Sequence, residues 1–394
     1  MLKQHPHAVL PASTKDESAR QEYVFSLGNF IQNKINPGLR TIYEQRAQPN
    51  FVAEHAREPK DRHEVRKAMN QQVYCQLASS MQRTAQEMLW NSVDESIQRQ
   101  RPQLIAAADA IAAKPAFGSL SLEPNFQIPR YIAHNDNHAM PGGYSADLCQ
   151  GDISAGALYD RGGFIYTQGL FGPRMDGLGR AAINFVRSRY PQLDPRRIVD
   201  IGCTAGGPTV ALAEAWPDAD THGVDVGAAL LRYAHARAES LGVGVHFHQA
   251  SGEHTGLTES HFDLVTCLAT LHETSRPAVH NIFAEAHRLL APGGLFLIAE
   301  LPPYEDGEPF DLFARDWDTW NNNEPFWGPL HEMDLTASLC DAGFNAKDIL
   351  VTFAPGVAAA NNLEVNAPVD NKKFVGSTRG GGESWFIGAQ KSSG

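Results

Sequence analysis

Long apolar runs are missing from this chain of 394 residues. No window reaches the ~18 apolar residues that a membrane-spanning helix requires. The opening stretch MLKQHPHAVLPASTKDESARQ has no apolar core of the kind that directs secretion. Neither secretion nor membrane insertion is expected. Cysteine is scarce as well: Cys75, Cys149, Cys203, Cys267 and Cys340 are far apart, odd in number and without a C-x-x-C pair. That excludes a disulfide framework or a zinc knuckle and points to a reducing cytoplasm. Positive charge is in deficit, 33 Lys and Arg against 45 Asp and Glu, for a formal net charge of −12. Broad attraction to a phosphate backbone, and DNA as a partner, are thereby disfavoured. No repeat of 20 to 50 residues is found. What is present is a 42% hydrophobic complement, enough for a sizeable core, in a chain longer than one typical domain.

The most informative stretch is 196–234, which reads as strand, glycine-rich turn, helix and strand. Ile198, Val199 and Ile201 form a short apolar run that ends at Gly202, as a buried parallel strand does at a tight turn. Gly202, Gly206 and Gly207 let backbone approach a ligand, Pro208 suits a first helical turn, and the helix Thr209–Trp216 aims free N–H groups at it. The G-C-T-A-G-G order departs from the dinucleotide fingerprint G-x-G-x-x-G. Asp200, just before the turn, would repel a pyrophosphate and attract an ammonium. Asp225 closes the next strand, Thr221–Val224, where a carboxylate can accept hydrogen bonds from two ribose hydroxyls.

On these residues the segment resembles motif I and the following acidic motif of class I S-adenosylmethionine-dependent methyltransferases, and the resemblance runs over about residues 155–350. The family's usual loop is acid-x-Gly-x-Gly-x-Gly. Thr204 replaces the middle glycine, which requires Thr204 to have an ordinary backbone conformation. Further blocks follow in the family's order. They are a strand Val245–Gln249, then Ala250-Ser251-Gly252-Glu253 with Ser251 for the usual aspartate, then a strand Phe262–Cys267 and Leu268-Ala269-Thr270-Leu271-His272-Glu273. A helix Arg276–Ala291, the turn Pro292-Gly293-Gly294 and a strand Leu295–Ala299 come next. A helix Ala337–Gly343 and strands Ile349–Phe353 and Trp385–Ala389 complete the set. The resemblance implies an α/β fold, a doubly wound, mostly parallel, seven-stranded Rossmann-like sheet with an appended N-terminal helical region. It implies S-adenosyl-L-methionine as cofactor, bound by Asp200, Gly202, Cys203, Thr204, Gly206, Asp225, Val226, Ser251, Gly252, Glu253 and Leu268.

Three parts are expected along the chain. Residues 1–114 are helical, with apolar steps at Val24, Leu27, Ile31 and Ile35 and at Leu77, Met81, Thr84 and Met88. Breaks are expected at Asn36-Pro37-Gly38 and around Pro49 and Pro59, with Arg101-Pro102 starting a last helix. This region is a substrate lid, a homodimerisation arm or both. Residues 115–175 form a linker over the active site, in which Tyr159 and Tyr166 either line the acceptor pocket or pack the linker. Residues 176–394, beginning with a helix Leu178–Tyr190, form the cofactor-binding domain. Within them Pro355–Glu383 makes a long excursion.

Methyl transfer from a sulfonium is an in-line displacement that chiefly needs an acceptor held about 3 Å from the methyl carbon and water kept out. His272 and Glu273 follow the fourth strand at the sheet's carboxyl edge, and Glu300 ends the fifth. These are the catalytic candidates, with His272 as base or, alternatively, as a helix cap. Leu301-Pro302-Pro303-Tyr304 is read as a turn. Trp317, Trp320 and Trp327, with His331, either wall an apolar acceptor pocket or fill the core beneath the helical region. His134 and His138 lie four apart among Asn and Gly, in a loop, and no metal is expected. The expected activity is methylation of O, N, S or C on a small molecule, in specialised metabolism. Its rivals are a protein or RNA acceptor and a non-catalytic dimerisation scaffold.

Overall fold

The structure, a computed structural model, describes residues 3–114, 116–167, 169–304, 307–357 and 383–393. The apolar run before Gly202 becomes β2 of an eight-stranded sheet. Its strands are β1 (Ser119–Ser121), β2 (Arg197–Ile201), β3 (Asp220–Asp225), β4 (His246–Gln249), β5 (Phe262–Leu268), β6 (Leu290–Glu300), β7 (Ile349–Pro355) and β8 (Glu383–Gln390). Their spatial order is β1-β4-β3-β2-β5-β6-β8-β7. All pairings are parallel except the antiparallel β6–β8 and β7–β8. The eighth strand is β1, a three-residue edge piece contributed by the linker and paired with β4. Ser-Leu-Ser has neither apolar weight nor length enough to be read as a strand.

Chain order runs outward from β2 through β3 to β4, then returns to β5 on its other side. The crevice beyond the carboxyl ends of β2 and β5 is therefore the switch point at which such sheets bind ligands. Helices α9 (Gly207–Ala215), α10 (Ala228–Ser240) and α11 (Arg276–Leu289) make the crossovers, and α8 (Gly177–Arg189) leads into β2. One face of the sheet packs Val199, Val265 and Phe296 against Phe283 and Leu289, and the other packs Ile198, Leu264 and Leu297 against Phe185 and Leu212.

The N-terminal region departs from its expected breaks. Helices α1 (Lys15–Phe30), α2 (Asn36–Ile42) and α3 (Gln48–His55) run on without interruption through two π-helical segments, Ile31–Ile35 and Tyr43–Ala47. Each widened turn lies just before a proline: the N–H of Asn36 reaches the carbonyl of Ile31, and that of Gln48 the carbonyl of Tyr43. The extra residue in the turn relieves the clash that Pro37 and Pro49 would make with the preceding turn. The break at Pro59 is observed, between α3 and α4 (Arg62–Met69). Pro102 starts no helix and lies inside α5 (Val73–Ala112). The buried face of α5 is also rotated from the expected one: Leu77 is 53% exposed, while Cys75, Ala78, Gln82, Ala85 and Leu89 are buried.

The linker supplies α6 (Arg130–Ala133), a 3-10 turn at Asn137–Ala139 and α7 (Ser154–Tyr166), which packs between α5 and α10. After β6 come α12 (Pro309–Asn321), α13 (Trp327–His331) and α14 (Leu335–Asp341). The Pro355–Glu383 excursion lies, over 358–382, outside the described residues. Among the described residues no helix is long and apolar enough to cross a membrane.

Candidate active site

A cavity of 280 Å³ opens at the switch point, and its walls divide into two halves. The first is built by the turns after β2 and β3. Asp200, Gly202, Thr204, Asp225, Val226, Gly252 and Leu268 line it, with Ala250, Ala269 and Thr270. Gly202 has φ +79°, and a Cβ there would lie 2.3 Å from Thr270 Cγ2, so the close turn demands glycine. Thr204 also has a positive φ, 45°, contrary to the ordinary conformation expected of it. The left-handed turn that a glycine would make easily is held by the Thr204 N–H, which donates to Asp225 Oδ2 at 2.9 Å. The Gly227 N–H donates to the other oxygen at 2.9 Å.

Asp200 and Asp225 are both buried. Burial pushes Asp200 up to about 6, against the opposing hydrogen bonds of the Thr209 and Thr266 hydroxyls at 2.6 and 2.7 Å. Burial likewise raises Asp225, opposed by its backbone N–H donors. These are two carboxylates in a dry wall, which a positively charged or hydroxyl-bearing ligand would relieve. The glycine turn and the carboxylate pair fit the amino-acid and ribose ends of an S-adenosyl group.

The second half is aromatic and carries a cluster of titratable side chains. Tyr131, Tyr144, Tyr159, Tyr166, Trp327 and Trp385 line it, with His138, His272, Glu273, Glu300 and Glu324. His272 Nδ1 lies 2.8 Å from Glu300 Oε2, and its Nε2 3.7 Å from Glu273 Oε1. His138 Nδ1 lies 2.6 Å from Glu324 Oε1 and its Nε2 2.8 Å from Glu273 Oε1. Tyr144 donates to Glu273 Oε1 at 3.0 Å, and the Asn137 amide donates to Oε2. Burial alone would lower His272, yet the charges of Glu300 and Glu273 outweigh it and carry the ring up to about 9. His138 is raised in the same way: burial is outweighed by Glu324 and Glu273. Glu273 is held at about 2, because the two rings overcome the burial that would raise it. Burial raises Glu324 and takes Tyr159 up to about 12.

Several residues singled out from the sequence lie elsewhere. Cys203 is buried beside Val210, Leu231 and Phe247. Gly206 begins α9 beneath Ala234 and Phe247. Neither Ser251 nor Glu253 is on the cavity wall: Glu253 accepts from Tyr131 and Asn281, both at 2.8 Å, so it acts on the wall only through Tyr131. Trp317 is core, packed with Leu39, Met69 and Phe313, its Nε1 donating to Ser79 at 2.7 Å. Trp320 is 68% exposed beneath Arg66. His331 is buried behind Trp327, against Tyr304. The insert thus divides between the two alternatives, Trp327 facing the cavity and Trp317 the helical core.

His138, Tyr144, Glu324 and Tyr131 are wall residues that sequence reasoning did not select. His138 had been noticed only as half of a histidine pair, and His134 takes no part in the wall. The one available signal was the density of Asn, His and Glu in HNDNH and NNNEP, two polar segments flanked by apolar residues.

Residues 198–294 match the family described as "Methyltransferase domain". The ubiquinone biosynthesis O-methyltransferase of Pseudomonas aeruginosa is 28% identical over 199 residues, 48% of this chain and 84% of that protein. The demethylmenaquinone methyltransferase of Thermus thermophilus is 29% identical over 184 residues, 42% of this chain and 80% of that protein. Among solved structures, phosphoethanolamine N-methyltransferase 2 of Haemonchus contortus, in complex with S-adenosyl-L-methionine, aligns with a TM-score of 0.42 at 17% identity, over 59% of this chain and 57% of that one.

Proposed function

We propose that this chain, a class I S-adenosylmethionine-dependent methyltransferase by the domain at residues 198–294, methylates an oxygen of a small aromatic acceptor. The observation that carries this reading is the joining of two unlike half-sites in one cavity. Asp200, Gly202 and Asp225 stand on one wall, and the His138, His272 and Glu273 cluster with its tyrosines and tryptophans stands on the other. Bound there, S-adenosylmethionine supplies an electrophilic methyl group on a sulfonium.

The chain's own residues do the rest. Asp225 would accept from the ribose hydroxyls, Asp200 would meet the ammonium, and Gly202 would admit the ligand close to backbone. Tyr144, Tyr159, Tyr166 and Trp327 exclude water and present ring faces to a flat acceptor. Glu300 and Glu324 hold the Nδ1 sides of His272 and His138, and His272 Nε2, in the neutral form that it gains as pH rises toward about 9, would take the acceptor hydroxyl's proton. The cavity's volume of 280 Å³ and its aromatic lining favour a small molecule over a protein or RNA. The relatives named for ubiquinone biosynthesis and for demethylmenaquinone support an acceptor of quinone type. We assign the helical region 1–114 the role of a fixed wall, since Trp90 of α5 lines the cavity.

The test is transfer of isotope-labelled methyl from the cofactor to a panel comprising a catechol, a monophenol, an aryl amine and an aryl thiol. Label on the hydroxylated compounds is expected. Label only on the amine or thiol, or on a macromolecule, would overturn the oxygen assignment.

A further inference from the structure

We infer that the acceptor half of the cavity binds one divalent transition-metal cation through His138 Nε2, His272 Nε2 and Glu273 Oε1. Ligand atoms of these three residues lie within 4.8 Å of one another. The sides from Glu273 Oε1 to the two rings are 2.8 and 3.7 Å. Around a tetrahedral ion with bonds of ~2.0–2.1 Å, such atoms stand roughly 3.3 Å apart, so small swings of the rings close the triangle.

Four further features are those of a built site. First, each ring has its Nδ1 against a buried carboxylate, His138 on Glu324 at 2.6 Å and His272 on Glu300 at 2.8 Å. That is the carboxylate–histidine pairing that fixes the tautomer and aims Nε2 at a metal. Second, Asn137 ties up Glu273 Oε2, which leaves Oε1 turned to the rings. Third, His138 is held at φ 58°, a conformation histidine seldom adopts, while its carbonyl accepts from Trp90 Nε1 at 2.7 Å and Gln86 Nε2 at 2.9 Å. Backbone strain of this kind persists where the surroundings impose it to place a group. Fourth, among the described residues, no hydrogen bond accepted by the buried Glu273, Glu300 or Glu324 comes from a lysine or arginine.

Two imidazoles and one carboxylate select zinc, iron, cobalt or manganese over calcium or magnesium, whose sites are all-oxygen. All three residues line the cavity, and an acceptor hydroxyl is the further ligand expected from that side. That last role rests on the methyltransferase reading, whereas binding of the ion does not.

The experiment uses the full chain freed of metal by a chelator. It is titrated with Co2+ while visible absorption is recorded, and with Zn2+ in competition with a chromophoric chelator. One equivalent is expected, with the absorption bands of low-symmetry Co2+. His138→Asn, which tolerates the left-handed backbone, should weaken Zn2+ at least 100-fold. Glu324→Gln should weaken it about 10- to 100-fold, as loss of a ligand's orienting carboxylate does. His222→Asn, in the separate His222–His248 pair of β3 and β4, should leave the affinity unchanged. Equal affinity in wild type and His138→Asn, or loss in His222→Asn alone, would overturn the site. Calorimetry with S-adenosylhomocysteine on the same metal-free protein separates the two readings. Failure to bind Co2+ or Zn2+ sinks the site whatever the cofactor does, methyl transfer by the metal-free protein removes the ion's role toward the acceptor hydroxyl, and metal binding without transfer leaves the site standing and removes the proposed function.

Discussion

Thr204, standing where the resembled family has glycine, takes a left-handed backbone conformation instead of the ordinary one expected of it, and the turn around it is organised by single atoms. Gly202→Ala adds a Cβ to a φ of +79°, against Thr270. The left-handed penalty of ~1–2 kcal/mol and overpacking of ~1–3 kcal/mol predict a loss of about 2–5 kcal/mol in urea denaturation. Thr204→Asn, a residue that accepts this conformation, should be no less stable than wild type. At this scale legibility followed sequence distance. Asp200, Asp225, His272, Glu273 and Glu300 were visible because each sits at or just past the end of an apolar strand. His138 and Glu324 were not, because they meet His272 and Glu273 only through the folding of two irregular segments, and nothing local marks them.

Helices and strands were legible where their boundaries are chemical. Strands β2 and β6 hold apolar runs closed by glycine or an acid, β3 ends on an acid and β5 is mostly apolar, while the short polar β1 carried no signal. The helix breaks were misread because proline was taken as a terminator, whereas a π-helical turn before Pro37 and another before Pro49 remove the steric reason to stop. Pro102 has no such turn inside α5. An interior proline costs roughly 3 kcal/mol in a helix, offset by ~0.4–1 kcal/mol through its stiffening of the unfolded chain, so Pro102→Ala should stabilise by about 2 kcal/mol in the same denaturation assay.

Helix α1 carries a pH response. Glu17 closes a capping box with Thr14. Its ion pair with Arg99, only partly opposed by burial, holds it at about 2 instead of 4.5. A depressed carboxylate contributes stability above its unfolded value and loses it as pH falls toward the folded one. Hydrogen-exchange protection of α1 should therefore fall between about pH 4.5 and about 2. Glu17→Gln should already lack that contribution at neutral pH and show a flatter profile over the same range. Equal pH dependence in the two proteins would contradict the assignment.

In the whole molecule, α5 reaches the acceptor half of the cavity by Trp90 and Gln86, which both donate to the His138 carbonyl. Trp90→Phe keeps the ring's bulk in part and removes the donor. It should lower kcat/KM for the acceptor at least tenfold while cofactor affinity stays within twofold. A fall in cofactor affinity of similar size would mean that α5 supports the fold and not the site. Changes of texture in the sequence led to the expectation of a helical region, a linker and a sheet domain. The way the first region helps to build the wall of the last was not legible there, because it depends on contacts between residues far apart in the chain.

The central claim is that Asp225 and the turn beside it hold the ribose end of the methyl donor in the same cavity as the acceptor cluster. Titration calorimetry with S-adenosylhomocysteine tests it most directly. Wild type should bind one equivalent, and Asp225→Ala should weaken binding about 100-fold or more with the fold intact by circular dichroism. Unchanged affinity in Asp225→Ala would contradict it.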